Sequence, residues 1–450
     1  MVSPSRAAAF DVLLRVEREQ AHAGELLHSD ILKDLSPADR GLTMQLVMGA
    51  LRWQGRVDAA LSTLVSQPLA KLDVEVLTAL RLAAYQIGFL DRVPARAAVN
   101  ESVELVKRAR KRSAMGFANA VLRKLATCPE LLQPVLAPGS KTVLDLAQLY
   151  AHPTWLVDRW AEAYGMEVAE RICAWNQEAP SMAVRLRDPG AEGELRQEGV
   201  ELAPGNFLAS ARRVVSGDLV RTRAFAERRV VVQDEASQLV AMLVGHGERL
   251  LDCCAAPGGK SAVLAERNPK ATVVATDVHP HRARLMQRLL ASSSTSVHVI
   301  AARAESLPLR GGFDRVLADV PCSGTGTLAR NPEIKWKLRL PDLVDLHRRQ
   351  VAILRAAMQQ VKPGGRLLYS TCSLEPEENA GVVNEVLEQG SDFRLCYAKL
   401  ELERLRHEGE LLWHDVDSIL NGPFLRTLPG VHPCDGFFAA ILERKGNAAD

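Results

Sequence analysis

The sequence predicts an α/β fold in its C-terminal half, a doubly wound parallel sheet, preceded by an all-helical domain and a small α+β segment. Three observations predict it. From Arg249 onward short apolar strands alternate with helical stretches. The residues before about position 140 carry helical periodicity with no strand-like alternation. Between Tyr150 and Gln233 prolines and glycines cut the chain into short pieces. The expected domains are 1–140, 145–235 and 236–445.

In the front part, Ser36-Pro37-Ala38-Asp39 supplies a serine N-cap and a proline at the first helical position. Leu42, Leu46, Met48, Leu51 and Trp53 follow at roughly helical spacing, and similar stretches cover 73–88, 95–108 and 114–125. A helical bundle is the economical architecture. In the middle part, Met182-Ala183-Val184-Arg185-Leu186 alternates like a strand, and residues 230–237 lead into an amphipathic helix. In the last part, strands are expected at 249–253, 272–277, 297–301, 313–319 and 365–371, with the longest helix over 341–361. Pro363-Gly364-Gly365 is the expected break before the fifth strand, and 436–442 a late, antiparallel one. Strands joined by helical crossovers make a parallel sheet covered on both faces, a Rossmann-like domain.

At 450 residues and 47% hydrophobic, the chain is too long for one core and apolar enough for two or three. No run reaches the ~18 apolar residues of a membrane helix, and Arg6, Asp11, Arg15 and Glu17 interrupt any signal-peptide core, so a cytoplasmic protein is expected. The eight cysteines have neither a disulfide framework nor metal-ligand spacing; reduced thiols and no metal are expected. The net charge is +2, but residues 1–140 hold 18 basic against 14 acidic side chains. The run Lys107, Arg108, Arg110, Lys111, Arg112 ends one of the helices; it reads either as a solvated helix end or as a phosphate contact.

In doubly wound sheets ligands bind beyond the carboxyl ends of the strands. After the first strand comes Asp252-Cys253-Cys254-Ala255-Ala256-Pro257-Gly258-Gly259-Lys260, whose Pro-Gly-Gly lets the backbone approach a ligand. It lacks GxGxxG, and Cys254 stands where a phosphate loop needs glycine six places before Lys260-Ser261. Asp277 ends the second strand, 25 residues after Asp252, where a carboxylate can accept from a ribose diol. Two cysteines follow strands of the same sheet: Cys322 in Asp319-Val320-Pro321-Cys322-Ser323-Gly324 and Cys372 in Thr371-Cys372-Ser373, fifty residues on.

These three segments resemble the RNA cytosine-5 methyltransferases that use S-adenosylmethionine, whose members carry one cysteine in PCSG and another in TCS. The front looks like a NusB domain. His152-Pro153-Thr154-Trp155-Leu156-Val157 with Asn176 and Pro180 looks like the family's linker, and Gln233-Asp234-Glu235-Ala236-Ser237 and Asp435-Gly436-Phe437-Phe438 recur in it. The chain is most similar to the RsmB (Sun/Fmu) group within the NOL1/NOP2/Sun family.

The resemblance implies a Rossmann-like S-adenosylmethionine methyltransferase domain preceded by an all-α NusB-like domain and an α+β adaptor. It implies a small-subunit ribosomal RNA substrate. Cys372 would be the nucleophile, Cys322 would assist product release, and Asp319 would hydrogen bond the cytosine amino group and N3. The reaction needs both thiols: adding a thiolate at carbon 6 makes carbon 5 nucleophilic toward a methyl sulfonium, and the thiolate leaves only once the carbon 5 proton is removed. The implied cofactor residues are Asp252, Cys254, Ala255, Ala256, Pro257, Gly258, Gly259, Lys260, Asp277 and Asp319. The family's Asp before Leu307-Pro308 is replaced by Arg303 here, with Glu305 as the substitute. Arg330, Asn331, Lys335 and Trp336 are candidates to line an RNA channel, Trp336 equally a core anchor. A transfer-RNA methyltransferase would share every catalytic residue, and a non-catalytic RNA-binding assembly factor is a further alternative. Nothing demands a dimer, and a monomer is expected.

Overall fold

Ser36 caps the helix Pro37–Arg52 by accepting from the Asp39 N–H at 3.1 Å, with Pro37 at its first turn. In the computed structural model, which describes residues 2–19, 21–134, 141–291, 295–390 and 392–446, this helix packs with Pro4–Glu19 and Val74–Phe89, and Val74–Phe89 packs in turn with Ala95–Arg108 and Met115–Thr127. Val74–Phe89 is buried on most of its faces, and Leu46, Leu61, Leu80, Leu82, Leu105 and Leu122 are fully enclosed. The expected end of the first domain, residue 140, lies outside the described residues.

The chain forms two units, Met1–Ala179 with Leu328–Lys337, and Pro180–Thr327 with Leu338–Asp450. The unit boundary therefore falls inside the expected adaptor. Its helices Thr154–Tyr164 and Met166–Gln177 lie in the first unit, where buried His152 donates from Nδ1 to the Tyr150 carbonyl (2.6 Å) and accepts at Nε2 from Asn176 (3.3 Å). Burial holds His152 well below its usual range and so keeps it neutral.

The second unit opens with a four-stranded antiparallel sheet in the order β2-β3-β1-β4: β1 (Met182–Leu186), β2 (Glu201–Pro204), β3 (Ala211–Ser216) and β4 (Val230–Val232). The helix Glu235–Leu243 that follows is buried at every position but Ser237, so it is a core helix and not the amphipathic one its sequence implied.

The large sheet contains β5 (Arg249–Asp252), β6 (Thr272–Asp277), β7 (Ser296–Ala301), β8 (Phe313–Asp319), β9 (Val361–Thr371), β10 (Phe393–Cys396), β11 (Leu420–Asn421), β12 (Phe424–Thr427) and β13 (Phe437–Arg444). Its order is β11-β12-β13-β9-β8-β5-β6-β7, with β10 also on β13. The five strands β5 to β9 run parallel; β13 pairs antiparallel with β9. Because β5 starts mid-sheet, with β6 and β7 on one side and β8 and β9 on the other, the topology reverses between β5 and β8. A ligand crevice belongs at that point.

Pro363-Gly364-Gly365 is not the break expected before β9. Val361 already pairs with Phe313, and the register shifts before Arg315 meets Arg366, so the three residues form a bulge within the strand. Gly364 there has φ +73°, which a glycine adopts without strain.

Candidate active site

Each of β5, β6, β8 and β9 delivers a polar residue at or just after its C-terminal end. Asp252 ends β5 and is 1% exposed; its Oδ2 accepts from Ser261 Oγ at 2.7 Å, while Oδ1 is buried with no hydrogen-bond partner. Burial, with the nearby negative charge of Asp319, pushes its carboxyl up to about 7 against the opposing bond from Ser261, the Lys260 cation and the Cys254 N–H. A buried orphan oxygen beside a glycine turn marks a place for a donor. The turn folds back on the sheet: the Ala255 N–H donates to the Thr276 carbonyl (2.8 Å) and the Gly258 N–H to the Ala255 carbonyl (2.7 Å). Gly258 has φ +109°, and a Cβ there would sit 3.1 Å from Met286 Cγ. Cys254 and Ala256 are half-buried, Ala255 is buried and Pro257 exposed. Asp277, half-buried at the end of β6, accepts from the His279 N–H at 2.8 Å.

Lys260, on the helix after the turn, reaches Asp319 at the end of β8: Nζ lies 2.7 Å from Oδ2, and 5.0 Å from the Phe437 ring centroid. Burial pushes the lysine down, but Asp319, with the charges of Cys372 and Asp252, more than offsets it, so Lys260 stays cationic. Asp319 Oδ1 accepts from Ser370 Oγ at 2.7 Å, which fixes the carboxylate from both sides. Cys322 and Cys372, three residues beyond β8 and one beyond the adjacent β9, bring their sulfurs to 3.3 Å of each other; both are free thiols and half-buried. The contact with Cys372, then burial, then the negative charges of Cys372 and Glu378 hold the Cys322 thiol well above its ordinary range.

Arg303 and Glu305 follow β7. The Arg303 side chain is 68% exposed and lies 3.7 Å from Glu305, whereas Glu305 accepts from Arg349 Nε at 3.0 Å and keeps Oε2 buried without a hydrogen-bond partner. Of the two, Glu305 has the geometry of a ligand acceptor.

Lys335 and Trp336 do not line a channel. Both belong to the first unit, which includes Leu328–Lys337. Lys335, 1% exposed, donates from Nζ to the Arg52 carbonyl at 3.0 Å, and Trp336 Nε1 donates to the Leu51 carbonyl at 2.6 Å. These carbonyls end the helix Pro37–Arg52 and lack helical partners, so they draw donors, and the cationic pattern reads as a helix-end lock. Arg330 and Asn331, half-buried, lie in the same segment. In the basic run, Lys107 pairs with Glu104 (3.3 Å), Arg108 with Asp11 (2.7 Å) and Lys111 with Asp73 (3.1 Å), so three of the five charges are neutralised locally.

One residue escaped the sequence reading. Glu378, fully buried, accepts from the Ser323 N–H and from Gln350 Nε2, both at 2.8 Å, and from the hydroxyls of Ser323 and Ser373. Its signal was Glu375-Pro376-Glu377-Glu378-Asn379, an acidic run beginning three residues after the second cysteine, which resembles a solvated turn. Among the described residues no cluster of His, Cys, Asp or Glu could hold a metal ion, and no helix is long and apolar enough to cross a membrane.

Comparison with known proteins places these features in a family. The profile described as 16S rRNA methyltransferase RsmB/F matches residues 240–443, that of the NusB family residues 3–127, and that of a ferredoxin-like domain of RsmF/B-like methyltransferases residues 152–214. The chain is 33% identical to the probable ribosomal RNA small subunit methyltransferase B of Bacillus subtilis, over 98% of this chain and 99% of that one. It is 33% identical to ribosomal RNA small subunit methyltransferase B of Vibrio cholerae, over 98% and 97%. Among solved structures, PH0851 superposes with a TM-score of 0.82 at 24% identity over 99% of both chains. NSun6 from Pyrococcus horikoshii with SFG does so at 0.57 and 20%, over 66% of this chain and all of that one.

Proposed function

The chain belongs to the RsmB/F family of 16S rRNA methyltransferases, and from that membership we propose that it methylates carbon 5 of a cytosine in 16S ribosomal RNA, with S-adenosylmethionine as methyl donor. The observation that carries the chemistry is the pair of thiols at 3.3 Å, beyond adjacent strands, beside a carboxylate held by Lys260 and Ser370. The resemblance to cytosine-5 enzymes, the orphaned Asp252 and Glu305 oxygens, and the solved relative with SFG support the donor.

S-Adenosylmethionine supplies an electrophilic methyl group. Residues 254–260 would line its binding turn, Asp277 would accept from the ribose hydroxyls, and Glu305 would accept from the adenine amino group. Asp252 lies at the floor of the crevice, offering its orphaned oxygen to a donor. Arg303, largely exposed, is left outside the contact set. Cys372 adds as thiolate to carbon 6, favoured by the cation of Lys260 nearby. Asp319 accepts from the cytosine amino group and stabilises proton gain at N3 as the ring becomes an enamine. Cys322, held protonated at rest, first passes its own proton to solvent; once carbon 5 carries the methyl group, the Cys322 thiolate takes the carbon 5 proton, and Cys372 leaves as thiolate. A base in folded RNA has to be presented from a loop or flipped out to reach these groups.

The test is transfer of labelled methyl groups into unmodified 16S ribosomal RNA, with the product mapped as 5-methylcytidine. Cys372→Ala should abolish transfer, and Cys322→Ala should accumulate a covalent protein–RNA adduct. Label in transfer RNA alone would overturn the substrate, and normal turnover of Cys322→Ala without adduct would overturn the division of labour.

A further inference from the structure

Two loops on different strands must present their sulfurs to one pyrimidine ring, and backbone pairing alone does not set that register. The Cys322 loop leaves β8 and the Cys372 loop leaves β9, and each cysteine is followed by a serine, Ser323 and Ser373. Both serines converge on one carboxylate, Glu378, whose Oε1 accepts from the Ser323 N–H and Gln350 Nε2 and whose Oε2 accepts from both serine hydroxyls. The hydroxyls are also 2.9 Å from each other. Gln350, on the helix Leu340–Gln360, donates through the same Nε2 to the Pro321 carbonyl at 3.0 Å, so the cradle grips the Cys322 loop on both sides of the cysteine. Tyr369 Oη donates to the Glu378 carbonyl at 2.6 Å and ties the cradle to β9.

Glu378 is fully buried and, among the described residues, no cation bonds its carboxylate. A buried carboxylate without a counter-ion is costly unless donors surround it. Four donors from two loops and a helix surround this one, so both of its buried oxygens are satisfied. Its negative charge also contributes to keeping Cys322 protonated.

We propose that Glu378 is a positioning residue that joins the two cysteine loops and sets the distance between Cys322 and Cys372. The inference rests on the roles given to the two cysteines above. It assigns Glu378 no contact with the cofactor. A displacement of ~1 Å in reacting groups costs on the order of a hundredfold in rate. Glu378→Ala should therefore lower kcat by about 10–100-fold while S-adenosylmethionine binding stays within about threefold. Glu378→Gln should recover most of the loss, because its amide oxygen still accepts from the two N–H donors.

A readout independent of turnover is the rate at which diamide links Cys322 to Cys372 in the full-length enzyme without RNA, followed by peptide mass spectrometry. Each link forms one S–S bond, and the two thiols pass two protons and two electrons to the N=N bond of diamide. Linking should be fast in the native enzyme and about tenfold slower in Glu378→Ala, with Glu378→Gln between them. Native linking and native kcat in Glu378→Ala would overturn the proposal, as would loss of cofactor binding in step with kcat. Should Glu378→Ala not fold, Ser373→Ala removes one arm of the cradle only; slower linking there supports the assignment, and an unchanged rate overturns it. If the native enzyme places no 5-methylcytidine in RNA while Glu378→Ala still slows the link, the proposed reaction fails and the positioning role stands.

Discussion

Replacing Asp252 by asparagine should stabilise the catalytic unit in a pH-dependent way. Burial holds the Asp252 carboxyl at about 7 in the folded protein, against 3.8 ordinarily. The gap corresponds to roughly 4 kcal/mol. Its sign follows from which state holds the proton. The folded state favours the neutral acid, so the stability this group confers is complete below the unfolded value and is lost as pH rises from about 4 through about 7. The asparagine amide does not titrate and keeps its stability over that range. Between about pH 5 and pH 8 the Asp252→Asn variant should gain roughly 2–3 kcal/mol on the native protein and then level off. For a unit of this size that is a difference of about 5–10 °C in melting temperature, read by calorimetry at a series of pH values. S-Adenosylmethionine binding should weaken in the same variant, because the orphaned oxygen is the group proposed to receive a donor. A native-to-variant difference that stays flat between pH 5 and 8 would refute the raised carboxyl and the desolvated floor it implies.

Other outcomes follow from the same geometry. Trp336→Ala should destabilise the first unit by about 3–5 kcal/mol, since it empties the space the indole fills and leaves the Leu51 carbonyl without its donor; chemical denaturation measures it. Gly55→Ala would drive a Cβ to 2.7 Å from the same indole and should cost about 1–3 kcal/mol in that assay. Lys335→Met keeps the buried stem, and the Arg52 carbonyl keeps its bond from Gln177 at 3.2 Å. Burial holds the Lys335 amine well below its usual range, so native stability falls as pH drops below that range, and the variant should gain on the native protein as pH is lowered toward neutrality. Gly326→Ala would set a Cβ 2.2 Å from the Gly436 carbonyl oxygen and 2.8 Å from that of Cys372; with backbone on both sides, activity should be lost even where a melting transition survives.

Much of the site was legible because its parts are local. Asp252 and residues 254–260 occupy one strand-turn-helix, and Asp277, Asp319 and Cys372 stand at or next to strand ends that apolar runs announce. What stayed illegible depended on partners distant in sequence. Lys335 and Trp336 resemble RNA-binding residues until the carbonyls at the end of Pro37–Arg52 are found accepting from them, some 280 residues away in the chain. Glu378 resembles a surface acid until two serine loops close over it. Pro363-Gly364-Gly365 resembles a strand break until Val361 is seen pairing with Phe313.

By itself, then, the sequence determined the periodicities, and through them the helical front, the parallel sheet and the strand ends where ligand-facing residues stand. Those signals are carried by backbone propensity and by burial patterns within ten or twenty residues. Only the tertiary structure decided which charges are spent inside the protein and which are left for a substrate. A buried ion or carbonyl is satisfied by whatever donor the fold brings to it, and hydrogen bonds across 50 or 280 residues leave no periodic trace in the chain.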